Sequence, residues 1–419
     1  MRVRPALWSF AIQAAGSAAT VGAALLVAST LGLGAQGQFG LLRSWNDALT
    51  SAAVLGLPQS LLHLQYREQV PIAALRDWVL RYVIALAALL AVLAIAIAWW
   101  WPGWIAARLD EKTLLVLAAV VPLAAAHLLA RSLVLRGVGV VPYALITALP
   151  SLLIVAALLP ICVAGARGGF VWALLVSAAL SAAAAAWLLR SATLGSAPEA
   201  ARAPWSRRTL WTIGVETGAQ NVLTAFSPAL MLSTASLLGA PLADVGLVSL
   251  GLHVYQLFGV AAAYAAPQLY DRAARADRHI GSRELFAALH GRIRGRLDPR
   301  LAVALALLLL IVVVLALRFW PAGAASPWLL AVMALAGIVS MWSRLLITLM
   351  LARGAFRPLS VQALARLVCA CGSTALLMQR GPASAAVPIA LLVTEVLMLI
   401  WLLHAMRGLA LAARREEGV

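Results

Sequence analysis

The chain has 419 residues, of which 63% are hydrophobic and only 11% charged, with a mean hydropathy of +0.95. Soluble domains carry about 25% charged and about 45–50% apolar residues, so this composition excludes a water-soluble fold, disorder, collagen and disulfide scaffolds, and leaves an integral membrane protein. Charge is lopsided, 32 Lys+Arg against 15 Asp+Glu for a net +17, with Lys112 the only lysine; in a membrane protein this marks basic cytoplasmic loops and anionic inner-leaflet lipids rather than nucleic acid.

A span needs about 20 mostly apolar residues. The first run covers residues 6–31, behind Met1-Arg2-Val3-Arg4. It exceeds the about 7–15 apolar residues of a signal-peptide core and reads as an uncleaved first span. Further runs lie at 40–64, 78–100, 114–135, 141–163 and 170–189. A polar gap follows, with Pro198 and Pro204 in it. Beyond it lie runs at 210–238, 245–270, 301–320, 327–351, 359–377 and 385–404. The second and eighth stand out for their several polar residues. The expectation is an all-α polytopic membrane protein of about twelve transmembrane helices in two six-helix lobes. The lobes are residues 1–191 and 210–419, joined by a cytoplasmic linker at 192–209.

Arginines orient the spans. With the N-terminus inside, the cytoplasmic segments hold Arg67, Arg76, Arg131, Arg136, Arg190, Arg207, Arg353, Arg407 and the dense cluster at 271–300. The other side holds only Arg43, Arg108, Lys112, Arg167, Arg318 and Arg380. Both termini are therefore expected in the cytoplasm. Trp99, Trp100, Trp101 and Trp104 outside, with Trp205 and Trp211 inside, sit where interface anchors belong. In segment 271–300, Leu285, Phe286, Leu289 and Ile293 recur at helical spacing between arginines. An amphipathic helix on the inner leaflet and a solvated charged connector both fit that pattern. Cys162, Cys369 and Cys371 lie in apolar runs and read as small core residues, with no disulfide framework or metal set.

The two halves carry traces of duplication. Leu33-Gly34-Ala35 and Gly40-Leu41 have counterparts in Leu238-Gly239-Ala240 and Gly246-Leu247. Pro58-Gln59 is matched by Pro267-Gln268. With an even number of spans per half, the repeats would run parallel. The turn from Leu31 to Gly40, an apolar helix before it and a polar-tinged helix with Gly56 after it resemble the start of a known family. That family is the polysaccharide repeat-unit (O-antigen/exopolysaccharide, Wzx-type) flippases of the multidrug/oligosaccharidyl-lipid/polysaccharide exporter superfamily. Ala265-Ala266-Pro267-Gln268-Leu269 and the basic turn from Leu351 to Arg357 resemble later parts of the same pattern.

Ionisable residues inside spans are costly in hydrocarbon and mark sites or pairs. The acids are Asp47, Glu216 and Glu395; the bases are Arg344, Arg366 and, near the outer edge, Arg43. Arg43 and Asp47, four apart, share a helix face. They form either a self-neutralising pair or a cavity cation beside an acid. Glu216, Gln220 and Asn221 form a polar stripe, and Glu216 is a candidate for holding a proton or ion. Arg344 and Arg366 lie at similar depths. Arg344 could pair with Glu395 or Glu216, or the two arginines could jointly hold a diphosphate. Snorkelling is the plain reading of Arg366, with Gln362 a turn before it. His63, His127, His253 and His404 lie within spans or near their ends, and His253, Tyr255 and Gln256 read as packing or interhelical bonding.

Walker, H-E-x-x-H and G-x-S-x-G motifs are absent from the sequence, so no enzymatic activity and no cofactor are expected. The resemblance implies a flippase in the bacterial cytoplasmic (inner) membrane, acting by alternating access on an ion gradient. It implies a polyprenyl-diphosphate-linked glycan as substrate, for lipopolysaccharide or exopolysaccharide biosynthesis, with polysaccharide polymerase and chain-length proteins as partners. Arg344, Arg366 and Arg43 are the substrate-binding candidates; Glu216, Asp47 and Glu395 are the ion-coupling candidates. Three alternatives are weighed: a drug or metabolite antiporter of the same superfamily; an enzyme such as a polysaccharide polymerase or glycosyltransferase, which usually needs a large outer loop or an acidic catalytic loop that this sequence lacks; and a major-facilitator transporter. Asp271-Arg272 suits the latter, but 65–77 lacks the matching Gly-x-x-x-Asp-Arg run.

Overall fold

The structure is a computed structural model describing residues 3–66, 68, 70–100, 111–194, 206–275, 327–352 and 356–416. Every long element in it is a helix. In chain order these are α1 (Val3–Leu31), α2 (Leu33–Val54), α3 (Leu57–Tyr66), α4 (Ile72–Trp100), α5 (Glu111–Gly137) and α6 (Val140–Val163). They continue with α7 (Phe170–Leu194), α8 (Arg207–Leu237), α9 (Leu242–Arg275), α10 (Pro327–Ala352), α11 (Phe356–Met378) and α12 (Ala383–Glu416). Nine of the described helices are long and apolar enough to cross a membrane. Helices α2 and α8 fall short, α8 because its first half carries Glu216, Gln220 and Asn221. The eighth expected span is apolar enough over Leu242–Gly259. The expected ninth span, most of the 271–300 segment and the linker from 195 to 205 lie outside the described residues.

The second expected span is two helices rather than one. Helix α2 ends on Leu55 at φ 35, Gly56 follows at φ 70, and α3 starts on Leu57. The reason is a close approach of two backbones. A Cβ on Gly56 would stand 2.7 Å from the Cα of Gly218 in α8, and one on Gly214 would stand 3.1 Å from the carbonyl oxygen of Leu55. Small residues four apart let helices approach this closely. The break leaves carbonyls in the last turn of α2 without helical partners, and the Tyr82 hydroxyl of α4 donates to one of them, that of Ala53. Trp78, Tyr82 and Trp211 hold this corner as an aromatic cluster, with Trp78 stacked on Tyr82 at 5.3 Å and Trp211 edge-on to Tyr82 at 5.9 Å.

These contacts bind the first half of α8 to the helices before it, so the chain divides into compact units at Met1–Ala229 and Leu230–Val419. The boundary falls inside α8, later than the 192–209 segment. In the first unit α5 packs on α4 and α7, α6 on α1 and α7, and α2 and α3 on α5. Its buried centres gather around Leu57, Leu61, Leu129 and Leu133, and around Phe39, Leu158 and Phe170. In the second unit α9 packs on α10, α10 on α12, and α11 on α12, over a core that includes Leu346, Met350 and Leu402. Each unit thus pairs its second, fourth and sixth spans in the same order, as a duplication requires. The breaks between first and second spans also correspond: Gly32 at φ 87 and Gly239 at φ 90. This pairs Gly32, rather than Gly34, with Gly239.

Candidate functional site

The first unit has an open-sided cavity of about 270 Å³ between α2, α5, α6 and α7. From α2 come Arg43, Asn46, Asp47, Thr50 and Ser51, a run whose four-residue spacing puts Arg43, Asp47 and Asn46-Thr50 towards one side. Helix α5 adds His127, α6 adds Ser151, and α7 adds Ser177 and Ser181. Leu128, Pro150, Ile154 and Leu174 supply apolar wall.

Arg43 and Asp47 act on each other electrostatically, and Asn46 bonds to the Asp47 carboxylate. Among the described residues they are not in ion-pair contact; the pairs in contact are Arg76–Asp77 and Arg366–Glu395. The Arg43 guanidinium instead donates through Nη2 to Thr20 Oγ1 at 3.4 Å, and Thr20 is tied to Ser151 Oγ at 2.9 Å. Asp47 is exposed. An exposed carboxylate at span depth belongs to water rather than hydrocarbon. His127 Nδ1 lies 3.3 Å from the Ser181 carbonyl, which can only accept, so Nδ1 carries the proton. Among the described residues, four buried polar atoms of the surrounding side chains have no hydrogen-bond partner: Arg43 Nη1, Asn46 Oδ1, Thr50 Oγ1 and Ser181 Oγ. One turn along α5, Arg131 stacks over Tyr143 at 5.5 Å.

Glu216 is also in this unit, between Gly214 and Gly218. It is exposed, and among the described residues no hydrogen bond or ion pair engages it. Gln220 one turn on is buried and Asn221 exposed.

The second unit holds a charged cluster of different character. Glu395 of α12 is fully buried and Arg366 of α11 is 5% exposed. They form an ion pair through Arg366 Nη2 and Glu395 Oε1. Tyr255 of α9 joins them. Its hydroxyl donates to Glu395 Oε1 at 2.7 Å and accepts from Arg366 Nη2 at 2.6 Å. The Ser340 hydroxyl of α10 lies 2.8 Å away, and with the Tyr255 proton committed to Glu395, Ser340 is the donor. Four helices thus meet at one hydroxyl. Arg366 is therefore neither snorkelling nor free, and Glu395 takes Arg366, not Arg344, as its partner. Tyr255 makes the interhelical hydrogen bonds that were one of its two expected roles. That its partners form an ionic cluster depends on the helix rotations that bring it to Glu395.

Arg344 of α10 is half-buried and lies against Gly259 of α9, where a Cβ would come within 3.0 Å of the guanidinium carbon. It acts electrostatically on Tyr255. Among the described residues no acid pairs with its guanidinium. Among the described residues the cluster with Arg344 therefore carries two cations and one acid, and no acid there compensates Arg344. Among the described residues no group of His, Cys, Asp and Glu is arranged to hold a metal.

No family model and no curated protein matches the chain. Solved structures do. An inward-facing multidrug resistance MATE family transporter of the MOP superfamily superposes with a TM-score of 0.66 at 15% identity, over 96% of this chain and 98% of that one. An outward-facing MATE family transporter gives 0.64 at 15% identity, over 97% and 96%. A MOP superfamily transporter from Pyrococcus furiosus, described by the reversed polarity of its binding pocket, gives 0.52 at 13% identity, over 97% and 96%. A likeness of this kind spans both units and sets aside the major-facilitator alternative. The chain has the two-lobed, all-helical MATE-type fold.

Proposed function

We propose that the chain is a membrane transporter, not an enzyme, that moves a polyprenyl-diphosphate-linked oligosaccharide from the cytoplasmic to the outer leaflet of a bacterial inner membrane. Alternating access, coupled to an ion gradient, drives it. The observation that carries this reading is Arg344. A guanidinium at span depth without an acid beside it needs an anion, and its planar fork suits phosphate oxygens. Arg366 does not share that task, because Glu395 and Tyr255 occupy it; its part is to hold α9, α11 and α12 together next to Arg344. The lipid tail stays in the bilayer while the headgroup crosses. Both termini face the cytoplasm, with anionic inner-leaflet lipids against the basic loops and polymerase and chain-length proteins as partners.

A second reading, export of a cationic drug or metabolite, draws on Asp47 and Glu216, two exposed carboxylates at span depth. One pair of assays separates them. The chain is expressed in a strain lacking its own flippase and in a strain lacking its drug exporters. Restored surface glycan with no change in drug resistance supports the flippase; drug resistance without glycan overturns it.

A further inference from the structure

We propose that Gly259 is the positioning residue for Arg344: the missing side chain on α9 is the seat on which the guanidinium is laid to meet the diphosphate. As a seat this rests on the packing of α9 and α10; as a part of substrate binding it rests on the reading of Arg344 given above. The seam between the two helices has a fixed width before it reaches the arginine. A Cβ on Gly337 of α10 would stand 2.5 Å from the Phe258 ring and 2.9 Å from the Tyr255 carbonyl oxygen, so the helices touch there almost backbone to backbone. Ser340 then bonds to the Tyr255 hydroxyl at 2.8 Å. Arg344 comes one turn after Ser340 on the same face of α10, and Gly259 one turn after Tyr255 on the same face of α9. Gly337 and Ser340 are buried and Arg344 half-buried, so the seam opens at the arginine.

The two glycines differ in what their bareness admits. At Gly337 a methyl would meet backbone. At Gly259 the three atoms nearest to a Cβ all belong to the Arg344 guanidinium: Nη1 at 2.5 Å, Cζ at 3.0 Å and Nη2 at 3.5 Å. A glycine inside a helix is less stable than an alanine, and helix-to-helix contact does not call for one at this position; the arginine head does. That head is the free end of a flexible side chain. A methyl on Gly259 therefore leaves the seam in place and pushes the guanidinium about 1 Å off, to reach ordinary contact distance. The charge stays, but its fork leaves the place where it meets phosphate oxygens within hydrogen-bond reach.

The test uses the full-length protein in lipid nanodiscs as wild type, Gly259→Ala, Arg344→Ala and the double variant. Farnesyl diphosphate is the probe, farnesol the control for its tail, and thermal midpoints are read on the same samples. Gly259→Ala is expected to weaken farnesyl diphosphate by about tenfold or more, with farnesol unchanged and the midpoint within about 2 °C of wild type. On top of Arg344→Ala it should cost no further affinity and should raise the midpoint, because the helix gains an alanine and nothing stands in its way. Wild-type affinity in Gly259→Ala, or the same rise in midpoint with and without Arg344, overturns the seat. If Gly259→Ala does not fold, a folded double variant supports the seat and an unfolded one overturns it. Farnesyl diphosphate bound equally by wild type and Arg344→Ala, or by neither, refutes the diphosphate reading of Arg344; the seat is then judged by the midpoints alone.

Discussion

Arg366→Ala removes one member of the buried pair in the second unit, and its cost follows from what is left behind. Glu395 is fully buried. Without Arg366, its carboxylate keeps the Tyr255 hydroxyl as its one donor among the described residues. Its other oxygen, Oε2, already lacks a partner. Stranding one member of a buried pair costs about 3–5 kcal/mol. Glu395→Ala strands the guanidinium and should cost a similar amount. The double variant Arg366→Met, Glu395→Leu removes both charges and keeps the volume, so it should return to within about 1 kcal/mol of wild type. The assay is unfolding of the detergent-solubilised protein, followed by tryptophan fluorescence and closed as a double-mutant cycle. A coupling of about 2 kcal/mol or more is expected. Wild-type stability in Arg366→Ala, or a double variant as unstable as the two singles summed, would show that the pair does not hold α9, α11 and α12 together.

Tyr255→Phe keeps the ring and removes one donor to Glu395 and one acceptor for Arg366 and Ser340, so a loss of about 1–3 kcal/mol is expected in the same unfolding assay. Gly56→Ala forces a side chain into positive φ, about 1–2 kcal/mol, and against the Gly218 backbone, about 1–3 kcal/mol more; wild-type membrane abundance and melting would refute the close packing at that corner. Arg344→Lys should retain part of the glycan export and Arg344→Ala much less, at equal membrane abundance, because lysine keeps the charge and loses the fork; full export by the alanine variant removes Arg344 from substrate binding. Glu216→Gln should lower transport more than abundance, and unchanged transport across the pH range rules out an essential proton role. A reporter fused at Gly281 should read as cytoplasmic, and a periplasmic signal there overturns the span order.

Span positions were legible because hydrocarbon demands runs of about 20 apolar residues, and α5, α6, α7 and α10 begin and end close to their expected bounds. The break at Gly56 was not legible. Leu55 and Gly56 sit in an apolar run, and their conformation is set by Gly214 and Gly218, far along the chain. The four-residue spacing of that glycine pair was the available signal. The same limit applies to the charges. Burial cost singles out Arg366, Glu395 and Arg344 one at a time, but which arginine reaches Glu395 depends on how α10, α11 and α12 rotate about their axes. Arg43 and Asp47 were placed on one face by spacing alone; that the cavity beside them is completed by His127 of α5 and by serines of α6 and α7 is a tertiary fact.

The glycine corner has an evolutionary consequence. On α4, Leu80, Ile84, Leu89, Val92 and Ile95 are exposed, and at such lipid-facing positions one apolar residue serves as well as another. Their sequence should drift quickly among natural variants, with hydropathy as the only brake. Gly56 and Gly218 have no such freedom, because a side chain at either collides with the backbone of the other, and Gly214 has little, since a Cβ there stands 3.1 Å from the Leu55 carbonyl oxygen. Tyr82, on that same drifting helix, is tied to Ala53 across the corner. In a set of homologues, α4 should therefore show one aromatic position holding still in a helix that otherwise diverges, its variation locked to that of three glycines elsewhere in the chain.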